Sequence, residues 1–66
     1  MNGSQFSRAM KSAGVSASLM AALAGVSRSQ VWRWRTEKTP VPAYAVTIVE
    51  QQRRIRDLTE RLIELT

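Results

Sequence analysis

The chain has no cysteine and no histidine, and only two prolines, three glycines and five acidic residues among its 66. Each scarcity closes a route. Without cysteine there are no disulfides, and without cysteine or histidine there are no zinc fingers and none of the ordinary metal sets. The missing histidine also removes the commonest general base, and neither a nucleophile motif nor a Gly-rich phosphate loop is present. An enzyme is therefore not expected, and neither is a cofactor or a small-molecule ligand. No apolar run approaches the length of a membrane span, and the N-terminus lacks the apolar core of a signal peptide. The expected setting is the cytoplasm, away from membranes. A chain this short also buries too little surface to be comfortable alone. With disulfides and metals gone, self-association is the remaining support.

What is present is positive charge, unevenly spread. Ten Lys and Arg against five Asp and Glu leave a net +5. Ahead of residue 41 stand Arg8, Lys11, Arg28, Arg33, Arg35 and Lys38, against Glu37 alone. From there on, Arg53, Arg54, Arg56 and Arg61 are balanced by Glu50, Asp57, Glu60 and Glu64. All of the net charge therefore sits in the first forty residues. A basic head joined to a balanced tail suggests a polyanion partner for one and a different task for the other. Taken alone, the charge is equally well read as a solubility device.

Four helices are expected. The first covers about 5–13, with Ser4 as N-cap and Gly14 as stop; Phe6, Ala9, Met10 and Ala13 share one face of it. The second covers 17–24, between Ser16 as cap and Gly25 as stop, and is rich in small, strong helix formers. The third covers 28–37 behind Ser27. "KTPVPAY" then breaks the chain, because Pro40 and Pro42 remove two donors and push their neighbours toward extended backbone. Pro42 also suits the first turn of a new helix, and no Gly or Pro interrupts 43–65.

The third helix poses a question. In "GVSRSQVWRWR" the run Trp32-Arg33-Trp34-Arg35 alternates as a half-buried strand does. Ser27 ahead of Gln30, however, has the form of a helix capping box. The spacing around it favours the helix. Ala21 is small where two helices would meet closely, Gly25 suits a turn needing positive φ, and Val26, Val31 and Trp34 supply the wedging apolar positions. On a helix Trp34 follows Val31 into the core, whereas Trp32 turns about 200° away. Trp32 is then left either to meet a sugar-phosphate backbone or a thymine methyl, or to cover the start of the last helix.

Residues 16–36, "SASLMAALAGVSRSQVWRWRT", resemble the helix-turn-helix regulators of phages and bacteria, of the Cro and CI repressor type. The resemblance covers about a third of the chain, and all the small, Gly and apolar positions of the motif are filled. It implies an all-α, four-helix, lambda-repressor-like helix-turn-helix domain over 1–41, with a long C-terminal dimerisation helix over 42–66. It also implies that the helix after the turn enters the DNA major groove and touches bases with its N-terminal residues. Carried over by position, Arg28 and Ser29 match the leading base-contacting sites and Arg33 a deeper one, with Gln30 a further polar reader. Ser16, Ser18, Ser27, Trp32, Arg35 and Lys38 would meet the DNA backbone. Many members place Gln at the start of the preceding helix to hold a phosphate; this chain has Ala17, which leaves that role to Ser16 or Ser18. For Arg8 and Lys11 a solvated face is the better reading. The "VPAY" after the motif is reminiscent of small regulators of anti-CRISPR operons.

In the tail, Ile48, Ile55 and Leu62 recur every seven residues, with Leu58 and Leu65 three after the last two. As a and d positions they form a heptad stripe with one polar lapse at Gln51. Packing within the molecule accounts for Tyr44, Val46, Ile48 and Val49, but poorly for Ile55 to the end. A homodimer through Ile48, Ile55, Leu58, Leu62 and Leu65 is the expectation, bound to double-stranded DNA at an inverted-repeat operator in the nucleoid of a bacterial host. The resemblance thus implies a transcriptional repressor of phage or mobile-element type. Two other classes remain open: an oligomeric DNA-packaging module like a terminase small subunit, and a protein-interaction adaptor with the helix pair as scaffold.

Overall fold

A computed structural model describes residues 1–65; the last residue of the expected tail, 66, lies outside it. Among the described residues there are four helices and no strand: α1 Gly3–Ala13, α2 Ala17–Ala24, α3 Arg28–Arg35 and α4 Ala43–Leu65. The period-two run is thus helical. Val31 and Trp34, three apart, are buried, while Trp32 between them is 55% exposed.

The helix ends show why the chain turns where it does. α2 begins at Ser16, whose Oγ accepts from Leu19 N–H, and stops at Gly25 in the left-handed region at φ 70°. There Val26 N–H donates to the Ala21 carbonyl at 3.0 Å, the closing bond of a Schellman turn, and glycine carries it without a Cβ penalty. α1 ends in the same way, with Val15 N–H donating to Met10 O. In both cases the next residue is a valine that turns back to the core.

Two boundaries differ from the expectation. α1 starts at Gly3, capped by Asn2 and not Ser4, because Asn2 and Gln5 form a reciprocal capping box: Gln5 N–H to Asn2 Oδ1 at 2.8 Å, and Asn2 N–H to Gln5 Oε1 at 2.9 Å. Two satisfied donors outweigh the one that Ser4 offers. α3 ends at Arg35, two residues early. Glu37 adopts φ 65°, and Lys38 N–H returns to the Arg33 carbonyl, so a non-glycine residue closes the turn. Such a conformation costs a side-chain-bearing residue roughly 1–2 kcal/mol, and here the Glu37 carboxylate offsets it by accepting from Gly3 N–H at 3.1 Å, at the positive end of α1. Pro42 stands just ahead of α4 and not inside its first turn; its carbonyl accepts from Ala45 and Val46.

The core draws on all four helices. Phe6, Met10 and Ala13 from α1 meet Met20 and Ala21 from α2, Val31 and Trp34 from α3, and Ala45 and Val49 from α4. Phe6, Met20, Val31 and Val49 are sealed completely, each worth roughly 1.5–3 kcal/mol relative to exposure. Trp34 is the hinge of the assembly: its ring lies edge-on to Phe6 and to Tyr44, each at 6.0 Å between centroids. The core takes in Ala45 and Val49, so the first two turns of α4 pack with the residues ahead of position 42. Ile48 is partly buried against the same core, in keeping with the packing within the molecule expected for it beside a place at the dimer seam. Beyond Gln52 every described residue is exposed, and the projecting end of α4 gives the molecule its 43 × 20 × 16 Å extents. No helix among the described residues is long and apolar enough to cross a membrane.

Candidate nucleic-acid interface

The first turn of α3 is built to be exposed. Ser27 caps it, its Oγ accepting from Gln30 N–H at 3.2 Å, which leaves the preceding N–H groups and the positive end of the helix facing outward. Val31 and Trp34 anchor the inner face in the core. The outer face must then carry residues three and four apart on the other side, and these are Arg28, Ser29, Trp32 and Arg33. They line one open concavity. Across its edge Arg28 Nη1 reaches Ser18 Oγ on α2 at 3.4 Å. Trp32 therefore shares the polar face of α3 with Arg28 and Arg33.

A second concavity lies where α1 meets the start of α2. It is lined by Ser7, Lys11, Ser16 and Arg35, with Met10 and Val15 at its floor. Arg35 is turned toward α1, its Nε donating to Ser7 Oγ at 3.2 Å. Ser16 already accepts from Leu19 N–H, so its own hydroxyl hydrogen remains available to a ligand oxygen. The first turn of α2 thus stands between two cationic hollows, with Ser18 facing one and Ser16 facing the other. All six basic residues ahead of position 41 are exposed, and the ion pair found among the described residues, Arg56 with Glu60, lies far along α4.

The structure separates the expected site residues into groups. Arg28, Ser29, Arg33, Trp32 and Ser18 come together, and so do Ser16 and Arg35. Lys38 lies exposed on the α3–α4 connection and lines neither hollow. Gln30 is corrected. It is half-buried, and its amide donates to Thr39 Oγ1 at 3.3 Å, so it fastens α3 to the connection and lies off the Arg28 face. The capping box expected with Ser27 is for the same reason only half made. Lys11 is exposed, as expected, and lines one hollow with Arg35 and Ser16. Arg35 is 24 positions further along the chain, so only the packing of α1 on α3 brings the two to one hollow.

Comparison with protein-family models, curated proteins and solved structures finds no match for this chain. Its reading rests on the arrangement of its own residues.

Proposed function

We propose that the chain is a sequence-specific DNA-binding transcriptional regulator, a repressor that acts as a homodimer on a palindromic operator. In this reading α2 and α3 are a helix-turn-helix unit and α3 lies in the major groove. The observation that carries it is the outer face of α3, where Arg28, Ser29, Trp32 and Arg33 share one hollow at an exposed helix N-terminus. Arginine forked onto guanine O6 and N7 is the commonest specific base contact, and a serine beside it suits several base edges. Lys11, Arg35 and Ser16 in the neighbouring hollow have the chemistry of phosphate contacts, which give affinity and register without sequence information. A polyanion is the partner class favoured by six exposed cations in forty residues, with Glu37 their one acidic counterweight already engaged at Gly3.

The dimer part of the reading is supported by α4, which exposes Ile55, Leu58, Leu62 and Leu65 beyond the core. Footprinting on the DNA upstream of the chain's own gene tests the proposal. It expects a protected inverted repeat with half-sites about one helical turn apart; protection spread evenly over all fragments would reject sequence-specific recognition.

A further inference from the structure

The α4 helix has two faces with different fates. Ala45, Val49, Gln52 and Arg56, spaced four, three and four residues apart, turn toward the domain. Ala45 and Val49 are buried, Gln52 is half-buried, and Arg56 Nη1 donates to the Ser12 carbonyl at 2.9 Å. About a third of a turn away runs a second stripe at heptad spacing. Ile55, Leu58 and Leu62 lie on it, between 55% and 64% exposed, with Leu65 at 84%. The same stripe continues upward through Gln51 and Ile48 to Tyr44, which is still 50% exposed. Tyr44 occupies a d position, so the open stripe spans three heptads and not two.

We infer that this stripe is the seam of a parallel, in-register coiled coil with a second copy of the chain, a conclusion that rests on the dimer reading and adds its orientation. Two observations select the parallel arrangement. With Ile48, Ile55 and Leu62 at a, the g positions are Thr47, Arg54 and Arg61, and the e positions are Ala45, Gln52 and Thr59. Antiparallel helices set g against g, so arginine meets arginine in every register that sets Leu58 against an a-position residue of the other copy; parallel helices set g against e, so Arg54 meets the other copy's Thr59. The second observation is Gln51, the polar lapse at d. In a parallel pair two Gln51 amides face each other and can donate and accept between themselves. Antiparallel packing sets Gln51 against an a-position isoleucine or leucine and leaves a buried amide unsatisfied. The occupant is a second copy because residues 41–66 carry four arginines and four acidic groups, so like segments meet without net repulsion. The parallel pair leaves both domains at one end of the coil.

The chain has no cysteine, so single cysteines report orientation without interference. Ile55→Cys and Leu65→Cys change exposed residues. They are mixed in equal amounts in a glutathione redox buffer, and the disulfides are read by intact mass. Homodisulfides of each variant, without the mixed species, are expected. In the parallel pair positions 55 and 65 lie about 15 Å apart along the axis. A dominant mixed disulfide, or no disulfide from a chain that sedimentation shows to be dimeric, would overturn the orientation and leave the dimer standing. Monomers by sedimentation, with a random mixture of disulfides, would overturn both.

Discussion

The two tryptophans of "WRWR" provide a matched perturbation, because the same side chain occupies opposite environments two residues apart. Trp34 is 3% exposed and touches Phe6 and Tyr44 edge-on at 6.0 Å each. Truncating a buried Trp to Ala costs roughly 3–5 kcal/mol. A folded chain of this length, at 0.05–0.15 kcal/mol per residue, holds about 3–10 kcal/mol in total, and small scaffolds cluster at the low end. Trp34→Ala should therefore remove most of the stability or all of it. Trp34→Phe keeps a ring between the two neighbours and should recover much of the loss. Trp32, 55% exposed and outside the core, should cost no more than about 0.5 kcal/mol when changed to Ala. Urea titration followed by far-ultraviolet circular dichroism measures all three. One fixed protein concentration is needed, since dimerisation feeds into apparent stability. A cooperative Trp34→Ala transition at the parent midpoint would refute the reasoning. So would a Trp32→Ala loss above about 2 kcal/mol, since exposed sites away from special features rarely reach it.

Other expectations follow from single contacts. Arg28→Ala should weaken binding at the cognate site by roughly 1–3 kcal/mol and relax choice at one base position; equal weakening on random DNA would move Arg28 to the phosphate-contacting class. Gly3→Ala would set a Cβ 2.6 and 2.8 Å from the Trp34 and Arg35 carbonyl oxygens and 2.5 Å from Glu37 Cγ. Backbone cannot yield there as a side-chain tip does, so a loss of about 1–3 kcal/mol is expected in thermal unfolding. Leu58→Arg with Leu62→Arg changes residues 58% and 64% exposed, so the domain should stay folded while sedimentation shows monomers and operator binding weakens.

Most of the fold was legible because the signals were local. Glycine after α1 and α2, serine before α2 and α3, and apolar residues three and four apart mark the three short helices without reference to the rest of the chain. The misplaced start of α1 was local too: Asn2 and Gln5 stand at capping-box spacing, and the weaker serine signal obscured them. The early end of α3 was not legible. Glu37 holds a left-handed conformation because its carboxylate finds Gly3, 34 residues away, and no local pattern announces that contact. The candidate site divides likewise. Arg28, Ser29 and Arg33 follow from helical spacing once Val31 and Trp34 are inside. The hydrogen bond from Gln30 to Thr39 was not legible, because Thr39 lies beyond the end of α3, and the shared hollow of Lys11 and Arg35 depends on tertiary packing alone. For Trp32 the sequence left two places open; the packing of Val31 and Trp34 puts it beside Arg28 and Arg33.

The most direct test of the central claim is a ratio of affinities. Fluorescence anisotropy at one physiological salt concentration would compare a duplex carrying the footprinted or selected site with a scrambled duplex of equal length. A specific regulator is expected to prefer its site by about 10³-fold or more. Arg28→Ala should shrink that ratio, whereas Lys11→Ala should weaken both duplexes together. Equal affinity of the unaltered chain for the two duplexes would contradict the account.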